Sequence, residues 1–205
     1  MITGIILAAG VARRMGQLKQ LLPLGNHPIV WHVATAACHS QLDAVILVTG
    51  ARADAVTDVI HDLPIKIIHN VNWEDGQAGS LATGIKQLTP DTEAVMFLLA
   101  DQPLVTPTLI DSLIDAYYTS GQSIICPFYA DLRGNPVLFD WQEWKDALST
   151  LSGDQGARKI IVAHPESVHP VPVASAEILW DVDTEEDYQR MCAIFSKNNP
   201  SSQDC

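Results

Sequence analysis

Positive charge is scarce in this chain: 12 Lys and Arg stand against 24 Asp and Glu in 205 residues, a formal net charge of -12. A broad nucleic-acid-binding face needs cations to displace counterions, so that class of function is excluded. Long apolar runs are missing too. None approaches the ~20 residues that span a bilayer, and no membrane partner is expected. The four cysteines (Cys38, Cys126, Cys192 and Cys205) include no CxxC pair, and they read as reduced thiols of a cytoplasmic protein. Seven histidines form no HExxH or comparable spacing, which argues against a structural zinc site. The N-terminal apolar segment lacks a basic stretch, so no signal peptide is expected. Core-forming sequence, by contrast, is plentiful: 47% hydrophobic against 18% charged residues excludes general disorder. The length suits one domain, expected over 1–196, followed by a polar, flexible tail at 197–205.

The apolar pattern alternates between short buried runs and helical periodicities. Strands are expected at 3–9, 44–49, 65–69 and 94–100, with helices at 28–40, 54–62, 78–88 and 108–119 between and after them. Pro28 fits the first turn of its helix, where a missing N–H costs nothing. This order specifies a layered α/β fold with a mainly parallel sheet flanked by helices. The second half is less regular. Strands at 123–127 and 136–139 are joined by a polar turn containing Gly134 and Asn135, and short helices follow at 142–148 and 155–163. Pro170 and Pro172 suit residues 168–173 to a sheet edge, and Thr184 caps a final helix with acidic residues in its first turn.

Three segments fall at strand ends, where open α/β sheets bind ligands. The first is Leu7, Ala8, Ala9 and Gly10, followed by Arg13, Arg14 and Lys19. Small residues let backbone N–H groups approach a phosphate, and three of only 12 cations lie in this one stretch. A solvated charged turn is the plainer alternative. Neither a Walker A loop nor a GxGxxG fingerprint is present, so a dinucleotide site has little support. The second segment is Asp101, leaving the most apolar strand: it suits Mg²⁺, a hard cation, or a simple turn cap before Pro103. The third is Asp181-Val182-Asp183-Thr184, where alternation places Asp181 and Asp183 on one side and a helix cap is the plainer use of one of them.

Taken together, these segments resemble a known family. LAAGVARRMGQLKQLLPL at 7–24 is similar to the signature of the MobA-like nucleotidyltransferases. HNVNWEDGQAGSLATGI, LLADQP, RGNPVLF, GDQGAR and DVDTEEDY follow in the family's order, so the resemblance covers nearly the whole chain. Within the group the sequence is most similar to molybdenum cofactor cytidylyltransferases. The resemblance implies a Rossmann-like nucleotidyltransferase fold with a small irregular β-containing acceptor side. It also implies transfer of CMP from CTP to the terminal phosphate of molybdopterin, with Mg²⁺ as cofactor. On the matching positions it implies that Arg14 and Lys19 neutralise the triphosphate, that Asp101 and Asp183 hold the metal, and that Gly79 and Ser80 lie beside base and ribose. A molybdoenzyme recipient or its chaperone is the implied further partner.

The chemistry fits those residue types. Attack of a phosphate on an α-phosphorus brings two polyanions together, so charge neutralisation and alignment do most of the work. The nucleophile is already ionised, and no general base is needed. Asn135 stands where cytidylyltransferases commonly carry histidine, which bears on the acceptor-binding position. Ala9 favours CTP, because guanylyltransferases of this group resemble LAGG there and glycine leaves more room for a purine. The alternatives are guanylyl transfer to molybdenum cofactor, a sugar-phosphate acceptor, or a non-catalytic molybdenum cofactor carrier. The carrier has no use for the Arg14, Lys19, Asp101 and Asp183 set. Trp73 could line the pocket or anchor at the surface, Trp31 reads as a packing residue, and Trp141 and Trp144 either cover the acceptor site or seal the packing beside it; His32 and His39, seven apart on one helix, lack a third ligand.

Overall fold

The computed structural model describes residues 1–10, 18–153 and 156–198. Strand β1 (Ile2–Ala8) is followed by a small ribbon, β2 (Pro23–Leu24) and β3 (His27–Pro28), and by helix α1 (Ile29–Cys38). Next come β4 (Ala44–Thr49), α2 (Ala53–Asp58), β5 (Lys66–His69), α3 (Gln77–Ile85), β6 (Ala94–Leu99) and α4 (Pro107–Ser120). The second half holds β7 (Ile124–Tyr129), β8 (Leu132–Arg133), β9 (Val137–Asp140), α5 (Trp141–Ser149), α6 (Arg158–Ala163), β10 (Val168–Pro172) and α7 (Glu185–Asn198). No described helix is long and apolar enough to cross a membrane.

Eight strands form one sheet in the order β10-β7-β9-β6-β1-β4-β5, with β8 attached to β7. Strands β5, β4, β1 and β6 run parallel. Strand β9 lies antiparallel between β6 and β7, while β10 pairs parallel with β7 at the edge. The expected mainly parallel α/β architecture is what forms. Its core follows from the two-residue period of the strands. Ile6, Leu47, Met96 and Leu98 face α1, α2 and α4 on one side. Ile5, Ile46, Val48, Val95 and Phe97 face α3, α5 and α6 on the other. Burying each such side chain contributes about 1.5–3 kcal/mol, so one period error in any central strand would cost several of them at once.

Helix α4 is capped at both ends as its sequence dictates. The Leu109 N–H donates to Thr106 Oγ1 at 3.2 Å ahead of Pro107, and α4 stops at Gly121, whose φ of 68° is left-handed. Three expectations change. Pro28 is not inside α1: with ψ of 157° it pairs with Pro23, and the helix begins one residue later. The link from β7 to β9 is more than a polar turn, because the chain reverses at Ala130 (φ 51°) and adds β8 before Gly134. Finally, α7 continues through Asn198, past the point where the tail was expected to begin.

Candidate active site

The parallel pairing of β1 and β6 sets Leu7 opposite Leu99, and the Ala100 N–H donates to Leu7 O at 3.2 Å just beyond. The two chains therefore leave the sheet side by side, and Ala9 and Gly10 face Asp101 across the strand ends. Lys19 comes to the same place from a short helical turn. Its Nζ lies 2.5 Å from Asp101 Oδ2 and 2.6 Å from Asp183 Oδ1. The lysine and Asp101 side chains are only 12% and 17% exposed, while Asp183 is 49% exposed. Burial pulls the Lys19 ammonium down, but Asp101 and then Asp183 outweigh it and hold its pKa above the ordinary value. It is a cation at neutral pH.

Asp183 is delivered by a loop anchored at two points. The Val182 N–H donates to Asp101 O at 3.1 Å, and the fully buried Val182 side chain joins Leu22, Leu24 and Ile29 in a cluster beneath α7. Tyr188 of α7 donates its hydroxyl to Pro23 O at 2.6 Å, tying that helix to the segment after Lys19. The helix cap falls to Thr184: its Oγ1 accepts from Asp187 N–H at 3.2 Å, and Asp187 accepts in return from the Thr184 N–H at 2.9 Å. Asp183 is thereby released from capping, and its carboxylate is available to Lys19.

Asp181 completes the acidic group. One oxygen each of Asp101, Asp181 and Asp183 lies within 4.8 Å of the others. Burial, and next the charges of Asp101 and Asp183, push the Asp181 carboxyl above its usual range. Asp101 Oδ1 is buried with no hydrogen-bond partner among the described residues. An unsatisfied buried carboxylate oxygen beside two further carboxylates is a donor set for a hard divalent cation, Mg²⁺ or Mn²⁺. The alternation of Asp181 and Asp183 was readable in the sequence, but only Asp101 and Asp183 were expected as metal ligands. The third is a residue the motif match passed over.

A cavity of about 460 Å³ opens above these groups, and Leu7, Ala9, Gly10, Lys19, Ser80 and Asp101 are on its wall. Two expected members are placed elsewhere. Ala8 is packed in the core, and Gly79 lies behind the wall near Asn70 and Asn72. Arg14 lies in 11–17, outside the described residues. Ser80 is buried and accepts from Asn70 Nδ2 at 3.1 Å, so its orientation is fixed. Gln20, unforeseen, donates to Gly10 O at 2.7 Å and pins the loop. Gly50 at the end of β4 is equally hidden in the sequence. A Cβ there would sit 2.6 Å from both Ala9 O and Trp73 Cβ, so only glycine lets Trp73 close against the loop.

Asn135 is in a second cavity of about 900 Å³ that shares Leu7, Gln77 and Leu99 with the first. Trp144 is buried and donates to Ser123 Oγ at 2.9 Å, and Trp31 stacks on His27 at 3.7 Å. His32 Nε2 and His39 Nδ1 each lie 2.8 Å from a backbone carbonyl.

The sequence profile of the MobA-like NTP transferase domain matches residues 4–168. Nicotine blue oxidoreductase of Paenarthrobacter nicotinovorans is 29% identical over 198 residues, 93% of this chain and 96% of that protein. Molybdenum cofactor cytidylyltransferase of Escherichia coli is 28% identical over 193 residues, covering 90% and 92%. Among solved structures, Rv0371c of Mycobacterium tuberculosis is 30% identical with a TM-score of 0.84 over 94% of this chain and 97% of that one. Its complex with manganese also aligns, with a TM-score of 0.78 at 28% identity over 94% and 98% of the two chains.

Proposed function

This chain belongs to the MobA-like NTP transferase family, and we propose that it transfers CMP from CTP to the terminal phosphate of molybdopterin, releasing pyrophosphate. The observation that carries the reading is the convergence of Lys19 with Asp101, Asp181 and Asp183 at the ends of β1 and β6. An oxygen of the acceptor phosphate attacks the α-phosphorus of CTP. The bond from the α-phosphorus to the bridging oxygen breaks, and pyrophosphate leaves with the electron pair. Lys19 supplies positive charge where two anions must meet, in a setting shielded from water where that charge counts for more.

The small residues Ala9 and Gly10, with Leu7 and Ala8 behind them, let the backbone approach the triphosphate, and Gln20 keeps the loop in place. Ser80 lies on the base and ribose side, where Asn70 fixes its hydroxyl, with Gly79 behind it. Arg14 adds charge to the triphosphate, and Asn135 meets the acceptor. Asp101, Asp181 and Asp183 would hold Mg²⁺, and the unpaired Asp101 Oδ1 fits that role. When bound, the ion polarises the α-phosphate as a Lewis acid.

The relatives include an oxidoreductase, and a shared fold does not decide between chemistries. The test is pyrophosphate release from each NTP with and without molybdopterin, run beside an assay for NAD(P)H oxidation. Release from CTP that requires the acceptor supports the reading. Release from GTP alone makes the protein a guanylyltransferase. No release from any NTP, with reductant consumed, overturns nucleotidyl transfer.

A further inference from the structure

The Lys19 ammonium is seated on two of the three carboxylates that make the candidate metal site. Its Nζ lies 2.5 Å from Asp101 Oδ2 and 2.6 Å from Asp183 Oδ1, and both residues belong with Asp181 to the acidic group. A divalent ion drawn to this group meets a positive charge already in contact with two of its members, in a setting largely shielded from water where like charges repel strongly. The group is nonetheless more than an ion pair. Asp101 Oδ1 is buried without a partner among the described residues, and Asp181 adds a carboxylate that no described cation pairs with. Negative charge is in excess of what one lysine uses.

Resting on the nucleotidyl-transfer reading, we propose that Lys19 is a placeholder cation: it occupies Asp101 and Asp183 until a divalent ion and a nucleoside triphosphate arrive together, and its head then passes to the triphosphate and yields the carboxylates to the ion. The fold holds the carboxylates still. The Val182 N–H donates to Asp101 O at 3.1 Å, and the Ala100 N–H donates to Leu7 O at 3.2 Å. The backbone at Lys19 is held too, because Leu22 N–H donates to Lys19 O at 3.2 Å and the neighbouring Gln20 donates to Gly10 O at 2.7 Å. Movement is left to the flexible four-carbon stem of the lysine. The cavity of about 460 Å³ that carries Gly10, Lys19 and Asp101 on its wall is the space into which the head turns. An ion arriving alone must displace the ammonium with nothing to receive it, whereas a triphosphate offers it a new partner. Metal and nucleotide therefore tighten each other's binding through this one side chain, by the same factor in both directions.

The experiment measures Mn²⁺ binding by electron paramagnetic resonance, without turnover. Wild type, Lys19→Met and Lys19→Arg are titrated alone and with a saturating CTP analogue that has a methylene bridge between the α- and β-phosphorus. Without nucleotide, Lys19→Met should bind Mn²⁺ about tenfold or more tightly than wild type, and Lys19→Arg, which keeps the charge, should stay weak. The analogue should tighten Mn²⁺ binding by about tenfold or more in wild type and far less in Lys19→Met. Equal affinity of wild type and Lys19→Met without nucleotide overturns the placeholder, as does Lys19→Arg behaving like Lys19→Met, or failure of all three to bind Mn²⁺. If Lys19→Met does not fold, wild type decides: Mn²⁺ affinity unmoved by the analogue overturns the proposal. The full Mn²⁺ pattern in a protein that releases no pyrophosphate from any NTP would overturn nucleotidyl transfer and leave the placeholder standing. Pyrophosphate release with no effect of Lys19→Met on Mn²⁺ would do the reverse.

Discussion

The two cavities share three wall residues yet are built on opposite charge plans. The cavity at Lys19 is dense in paired charge: Lys19 is held by two aspartates, and a third carboxylate lies close by. The cavity at Asn135 is mostly apolar, and its cations have no described carboxylate partner. Paired charge around a buried, unsatisfied oxygen suits a metal and a triphosphate, which bring their own countercharge. Leu7, Gln77 and Leu99 stand on the walls of both.

Substitutions that break this contrast should be felt at the Lys19 cavity first. Asp101→Asn removes the anionic ligand and leaves Lys19 with Asp183 alone. Turnover should fall by a factor of about a hundred or more while the melting temperature changes little, and Mn²⁺ binding followed by electron paramagnetic resonance should weaken in parallel. Near-wild-type rates at saturating Mg²⁺ would remove Asp101 from the metal site. Lys19→Ala should cost about 3 kcal/mol of transition-state stabilisation and also weaken CTP binding. If neither kcat/KM nor the Kd for CTP moves, the loop after β1 is not the triphosphate cradle.

Smaller changes sharpen the comparison. Ala9→Gly should relax the preference for CTP over GTP without inverting it, since one methyl supplies about 1–3 kcal/mol of discrimination. The ratio of kcat/KM values with a common acceptor reads this directly, and an unchanged ratio would take Ala9 out of base selection. Thr184→Ala removes the cap that leaves Asp183 to Lys19. Urea unfolding should show a loss of about 1 kcal/mol, and a larger fall in activity than in stability would show how far the cap positions the carboxylate.

The cavity at Lys19 was far more legible in the sequence than the cavity at Asn135, for a physical reason. Parallel strands buried on both faces read as continuous apolar runs, and the chemistry at their ends is local in sequence: Ala9 and Gly10 follow β1, Asp101 follows β6. The junction of Lys19 with Asp183, 164 residues apart, was implied only by family resemblance. Gln20 and Gly50 act through contacts that no local pattern records, and Asp181, though alternation set it beside Asp183, was not read as a metal ligand. A glycine whose hydrogen faces Trp73 looks like any strand-end glycine, and a buried glutamine looks like a surface one. The β7–β9 region was less readable still, because its reversal uses Ala130 at positive φ instead of glycine, and β8 is only two residues long. Arg133 and Arg158 line one cavity from separate elements, so neither spacing nor periodicity joins them.

The most direct test of the account follows the α-phosphorus. With CTP labelled at the α-phosphate and molybdopterin as acceptor, the label should move into the acceptor as a pyrophosphate-linked cytidine product, one equivalent of unlabelled pyrophosphate should appear for each transfer, and Asp101→Asn should abolish both. Label that stays in CTP, or is released as free CMP at the same rate with and without acceptor, would contradict nucleotidyl transfer at this site.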